Sequence, residues 1–341
     1  METEPKKEPE TEPESVKRAN IDPNLRLLAA KNPHERDVFI KYEEKDHKYF
    51  VDIQRDGNFT NEHFISVTTL KSVFFAEFDA DAIIPQMMAK DTFAKRHSDL
   101  VGMTPEEIKA FWKENGRQSA EAGTKIHAEI ECILNEEKDL VCTTPEMKLF
   151  KEFTDMASEA HEPYRTEMFV FTDDTSRVAG AIDALYVNVK RMAEPNPENA
   201  LYVKIVDWKR VKKLNEYNPR ERGIAPFEKL PNTNYFHYCV QQNMYKYILE
   251  TFYKNPVWNG RVYSHIVVEK MWLCRLYPNM RKVQLKQCEE YPVEIKRVFE
   301  MRAESLQKRR QGLPDIYPFD KNLKPEMEVV PGFGVTDLES L

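Results

Sequence analysis

The stretch from Val178 to Lys209 constrains this chain more than any other. It reads V-A-G-A-I-D-A-L-Y-V, a polar interruption, then L-Y-V-K-I-V-D-W-K. Both runs are short and rich in β-branched and aromatic residues, which predicts two strands. Pro195, Asn196, Pro197 and Asn199 between them give a loop. The pair is therefore hairpin-like with a long tip. Each strand carries one aspartate in an apolar setting, Asp183 and Asp207, and Lys209 follows the second by two positions. Alternation along a strand puts Asp207 and Lys209 on one face. Burying like charges is costly unless something neutralises them. A divalent cation would do so, and carboxylates with water suit Mg²⁺ and phosphate chemistry. A hairpin with two edge aspartates and a salt-bridging lysine is the plainer alternative, and this stretch alone leaves both open.

With 341 residues, the chain can bury a sizeable core. Hydrophobic residues make up 41% and aromatics 11%, a globular balance, and 10 glycines leave no room for a Gly-rich repeat or linker. No apolar run reaches membrane-spanning length, so no membrane partner is expected. Five cysteines, Cys132, Cys142, Cys239, Cys274 and Cys288, form no CxxC pair. Neither a disulfide framework nor a zinc ribbon is indicated, and an intracellular, reducing compartment is expected. The net charge of −7 argues against nucleic acid only weakly, because a local basic surface suffices. Positive charge does gather after the second strand, at Arg210, Lys212, Lys213, Arg220 and Arg222. These are the candidate DNA-binding residues, with a solvated loop as the alternative.

In chain order, residues 1–20 read as a disordered acidic tail, which could bind a protein partner. Residues 21–100 read as a region with a hairpin near 38–54, a helix capped at Ser66, Thr68 or Thr69, and helix from Asp79 to about His97. Thr104-Pro105-Glu106-Glu107 starts a helix. That helix is expected to break near Gly116 or Gly123. The next helix carries T-K-I-H-A-E-I-E-C-I-L, with Ile126, Ile130, Ile133 and Leu134 as its apolar stripe. Thr144-Pro145-Glu146 starts another, running to about Ala160 with Met147, Phe150, Phe153 and Met156 inward. Strands are expected over Arg165–Thr172, in the two aspartate runs, and within Gly260–Leu276. Helices are expected over Tyr235–Tyr253 and Pro292–Gln311. Residues 101–311 would form one core, and 312–341 an extended tail. This order predicts an α+β fold with a central mixed sheet flanked by helices and helical N-terminal additions.

The polar residues on these elements are His127 and Glu131, Glu167, Asp183, Asp207-Trp208-Lys209, and Gln241 with Tyr245. The motifs G-T-K-I-H-A-E-I-E, A-G-A-I-D-A-L, I-V-D-W-K-R and Q-Q-N-M-Y-K-Y-I-L cover roughly residues 115–275. Together they resemble the RecB-like exonuclease branch of the PD-(D/E)XK nuclease superfamily, which has a restriction-endonuclease-like core. The resemblance implies that Asp183 and Asp207 hold metal, with the Trp208 carbonyl and His127 as further ligands and Glu131 and Glu167 as additional candidates. It implies that Lys209 is the catalytic lysine and that Gln241 and Tyr245 stand beside the site, with Gln242 in place of Gln241 if the helix is phased differently. It implies Mg²⁺, with Mn²⁺ as a substitute. Relatives that hold an iron–sulfur cluster use closely spaced cysteines near the C-terminal end, which this chain lacks, so no cluster is expected. The activity implied is a Mg²⁺-dependent deoxyribonuclease, an exonuclease of replication, recombination or repair acting on single-stranded or end-bearing DNA. A structure-specific endonuclease, an RNA-cleaving enzyme and a catalytically dead nucleic-acid-binding module are the alternatives.

Overall fold

The computed structural model describes residues 22–172 and 175–313. The expected acidic N-terminal tail and all but the first residues of the C-terminal one lie outside the described residues. In chain order the elements are α1 (Leu27–Lys31), β1 (Ile40–Glu43), β2 (Lys48–Val51), β3 (Ile65–Ser66), α2 (Val67–Ser72), α3 (Ala80–Met88), α4 (Phe93–Arg96), α5 (Pro105–Leu134), α6 (Pro145–Ala157), β4 (His161–Phe171), β5 (Val178–Asn188), α7 (Val189–Met192), β6 (Ala200–Lys209), α8 (Asn234–Phe252), β7 (Val257–Trp258), β8 (Arg261–Val262), β9 (His265–Arg275), β10 (Gln284–Gln287) and α9 (Pro292–Arg310).

The central sheet is mixed and six-stranded, as the order of elements predicts. It runs β10-β9-β6-β5-β3, with β4 also paired to β5. Antiparallel pairs join β4 to β5, β5 to β6, and β9 to β10, while β6 to β9 and β3 to β5 are parallel. β5 organises the sheet. Along one edge it pairs with β4 over nearly its whole length. On the other edge β3 takes its start, at Ser66–Ala179, and β6 takes its end, from Ala184–Val206 onward. Between those two pairings, Gly180 to Asp183 face a fork in the sheet. Tyr245 of α8 closes one side of that fork. A Cβ on Gly180 would lie 2.8 Å from the Tyr245 ring and 3.1 Å from Val67, so glycine is required for helix and strand to approach.

Helices cover both faces. On one, α2, α8 and α9 pack over Met168, Val170, Ile182, Leu185, Val203 and Ile205. On the other, α5 and α6 bury Ile126, Ile130, Met147, Phe150 and Phe153 against Ala184, Tyr186, Val206 and Trp208. The β1–β2 hairpin covers the neighbouring part of that second face, over Phe169 and Phe171. β1 to α2 are thus built into the sheet and its cover, while α3 and α4 pack with the first half of α5 in a separate cluster around Ile84, Leu100, Ile108 and Trp112.

The capping box at Thr104 forms as expected, with reciprocal bonds between Thr104 and Glu107. The break expected near Gly116 or Gly123 does not occur: α5 is one helix of 30 residues. Each glycine costs a helix about 1 kcal/mol relative to alanine. Burial at both ends outweighs this, through Ile108 and Trp112 against α3 and through Ile126 and Ile130 against the sheet. Arg117 bridges Glu114 and Glu121 on the solvent side of the same stretch. Two further expectations need correction. Asp79–His97 is two helices, α3 and α4, and α6 ends at Ala157 with Met156 turned outward, 57% exposed.

Candidate metal centre and its partner ion pair

The site assembles where β4, β5 and β6 pass the second half of α5. Glu167 of β4 has φ +42°, a left-handed value that is strained for any residue with a side chain. Its effect shows in the neighbours. Thr166 accepts a 2.8 Å bond from Asn135 just beyond α5, and Glu167 faces His127 on α5, whereas Met168 is buried on the opposite, α8 face. Two consecutive side chains therefore point to the α5 side. β5 slips in the same place, with Ile182 on the α8 side and Ala184 on the α5 side. The double slip brings Glu167 and Asp183 together beneath one helix.

His127 Nδ1 lies 3.6 Å from Glu167 Oε1 and 3.5 Å from Asp183 Oδ2. One donor atom from each of the three residues falls within 4.8 Å of the others. His127 Nε2 sits 3.0 Å from the Trp208 carbonyl, and the Trp208 N–H donates to Asp183 Oδ2 at 2.9 Å. Burial alone would lower the His127 pKa, but the Asp183 and Glu167 carboxylates outweigh it and hold the imidazole at about 9. The protonated ring thus neutralises part of the carboxylate charge, with Nε2–H directed at the Trp208 carbonyl. Burial raises the Asp183 carboxyl too, opposed by His127 and Lys209.

Asp207 faces the other way. It is 1% exposed, accepts a 2.8 Å bond from Gln242 of α8, and pairs with Lys209 at 2.7 Å. Lys209 also lies over the Tyr238 ring, 4.7 Å from its centroid. Asp207 and Lys209 do share a strand face, as alternation requires. Burial pushes the Asp207 carboxyl up to about 6 despite the lysine. Asp183 and Asp207 therefore have different side-chain partners and are joined by the main chain of Trp208, with the Asp183 charge still felt at Asp207. The Trp208 ring is core, packed edge-on against Phe150 and Phe153.

Gln241 stands beside the site through Tyr245, whose ring is close enough to feel the charges of Asp183, Asp207 and Glu167. It bonds with the Tyr245 hydroxyl, whose ionisation burial strongly opposes. Gln242 holds Asp207. The signal for it lay in the helical spacing: Tyr238, Gln242 and Tyr245 stand at i, i+4 and i+7 and share a face. Glu131 is buried beside the triad, 3.1 Å from Arg26 Nε, and Arg26 also binds Glu137 at 2.7 Å. Burial, then the charge of Glu167, lifts the Glu131 carboxyl to about 8. Arg26 stands more than a hundred positions away in the chain, and nothing local in the sequence announced it.

Five carboxylates, Glu131, Glu137, Glu167, Asp183 and Asp207, share this region with three cations, Arg26, His127 and Lys209. With Glu131 held at about 8 and so protonated at neutral pH, the other four carboxylates exceed the three cations by one charge. Two carboxylates and one imidazole around one point suit Mg²⁺ or Mn²⁺, the nitrogen favouring Mn²⁺.

The basic residues after β6 divide. Arg210 binds Glu146 at 3.0 Å, and Arg222 donates to the Lys229 carbonyl at 2.7 Å. Lys212, Lys213 and Arg220 are exposed and make no ion pair among the described residues. Among the described residues no helix is long and apolar enough to cross a membrane. No family model matches this chain, and no curated protein matches it.

Proposed function

We propose that this protein is a metal-dependent nuclease that hydrolyses DNA phosphodiester bonds. One observation carries the reading: His127, Glu167 and Asp183 converge within 4.8 Å, and the Trp208 main chain links them to a buried Asp207–Lys209 pair. The resemblance of the four motifs to RecB-like nucleases supports it. A divalent cation held by the triad would supply charge at the scissile phosphate and acidify a water. Asp183 and Glu167 would hold it, and His127 would have to release its Nδ1 proton to join them. Lys209 holds positive charge close to the centre, where it would offset charge developing on the phosphate. Gln242 and Asp207 fix where that lysine stands.

The competing reading takes Asp207–Lys209 as a structural ion pair, favoured by the near-complete burial of Asp207. End-labelled single- and double-stranded DNA, incubated with Mn²⁺ or Mg²⁺ and with EDTA, tests the proposal. Metal-dependent cleavage is expected, and its absence from every substrate would overturn it. A closed single-stranded circle surviving a dose that degrades the same DNA in linear form would support exonuclease action. Equal degradation of both would favour an endonuclease, and cleavage of RNA alone would move the substrate class.

A further inference from the structure

We infer that Tyr217 is a nucleobase-stacking residue, and that the loop carrying it receives an unpaired strand. This rests on the nuclease reading and names the form of substrate that the site takes. Tyr217 is 80% exposed, the highest value among the exposed large apolar side chains described. The loop holds it out by construction. On one side, Asn234 receives the Asn215 N–H at 2.8 Å and donates to the Lys213 carbonyl at 2.9 Å. On the other, Asn218 donates to the Asn232 carbonyl at 3.0 Å and accepts from the N–H groups of Arg220 and Glu221. Asn232 in turn binds Glu221 and the Ala76 carbonyl. An aromatic ring is thus displayed in water on a segment pinned at both flanks.

The charges around the ring are also arranged. The two acids nearest the ring are engaged, Glu216 by Lys286 and Glu221 by Asn232. Lys212 and Lys213 before the ring and Arg220 after it are exposed and make no ion pair among the described residues. Free cations on either side of an aromatic face match a chain that alternates phosphates with flat bases. A duplex keeps its bases stacked on one another, so the ring requires an unpaired one. The loop leaves the sheet directly after Lys209. Tyr217 is eight positions after Lys209, which limits their Cα atoms to about 28 Å apart. A strand bound on the loop is therefore within a few nucleotides of the metal triad.

Binding is measured on the full chain in EDTA by fluorescence anisotropy, with labelled oligothymidylate and an abasic backbone of equal length. Tyr217→Ala should weaken oligothymidylate roughly five- to hundred-fold. It should leave the abasic strand unchanged and leave the slope of log affinity against log salt unchanged. Tyr217→Phe and Tyr217→Trp should bind oligothymidylate as the parent does. Reversing Lys212, Lys213 and Arg220 should instead flatten the salt slope on both strands. Equal affinities of Tyr217→Ala and parent for oligothymidylate, or equal losses on both strands, would overturn the stacking role. If the parent still cleaves DNA with Mn²⁺ in that case, the nuclease reading stands and the stacking role alone falls. If the parent neither binds a strand nor cleaves one, both fall together.

Discussion

The two halves of the site handle buried charge in opposite ways. On the α8 side, Asp207 is sealed, paired with Lys209 and bonded by Gln242, so the group balances itself. On the α5 side, Glu167 and Asp183 share one imidazole at about 3.5 Å, and their side chains stay partly open to solvent. The sealed half has what a folded protein needs. The open half carries strained backbone and two carboxylates against one imidazole, and the proposed metal role rests on that difference.

The largest effect should come from breaking the open half. Asp183→Asn keeps an oxygen for the Trp208 N–H but removes a charge from the triad. It should abolish Mn²⁺ binding in calorimetry and reduce DNA cleavage at least about a thousand-fold, near 4 kcal/mol of barrier. Its circular dichroism should not change. Tight Mn²⁺ binding by this variant would place the metal elsewhere.

The sealed half should respond in stability instead. Lys209→Met strands a buried carboxylate and should lower unfolding free energy by about 3–4 kcal/mol in urea, with EDTA present. Adding Asp207→Asn should restore most of the loss. Mn²⁺ binding should survive in both variants while cleavage does not. Loss of Mn²⁺ binding would mean that the halves are not separable.

A pH titration sharpens the same contrast. Burial holds the folded Asp207 carboxyl at about 6, against an ordinary value of 3.8. The folded chain therefore binds this proton more tightly than the unfolded chain. The resulting stability is fully present below pH 4 and is lost as pH rises through 6, a change on the order of 3 kcal/mol. Asp207→Asn should make stability fall less steeply between pH 4 and 6 in EDTA, as read from urea midpoints, leaving the slope that the raised Glu131 carboxyl contributes up to about pH 8. An equally steep profile in the variant would assign the slope to another group.

The smallest effect concerns the backbone. Glu167→Gly and Glu167→Ala both remove a carboxylate from the open half. Only glycine relieves the left-handed φ, so the glycine variant should unfold with about 1 kcal/mol more free energy than the alanine one. Equal stabilities would show that the strand relaxes there at no expense.

Much of the fold was legible because its signals are local. Thr104 and Thr144 announce their helices by cap chemistry, and both caps form. The spacing of Asp207 and Lys209 gave their common face. Where long-range packing decides, the residues were silent. Gly116 and Gly123 promise a break that burial at both ends of α5 overrides. Ile65 and Ser66 read as the approach to a helix, and they also pair with β5 and create the fork. α8 is buried almost all round, so no polar stripe fixes its phase, and the sequence left Gln241 and Gln242 both open; the structure puts Gln242 on Asp207 and Gln241 on Tyr245. The left-handed turn at Glu167 has no sequence signature, yet it brings two carboxylates under His127.

Position 208 will mislead anyone who maps this protein by substitution. Its indole is packed into the core, so replacing it reports lost packing. The groups that join the two halves of the site are its amide hydrogen and its carbonyl oxygen, which all twenty side chains leave in place, proline excepted for the hydrogen. The link is written in the main chain and is invisible to codon-level genetics. Replacing the amide before Trp208 with an ester, by semisynthesis, would remove the hydrogen that Asp183 accepts and leave the indole untouched.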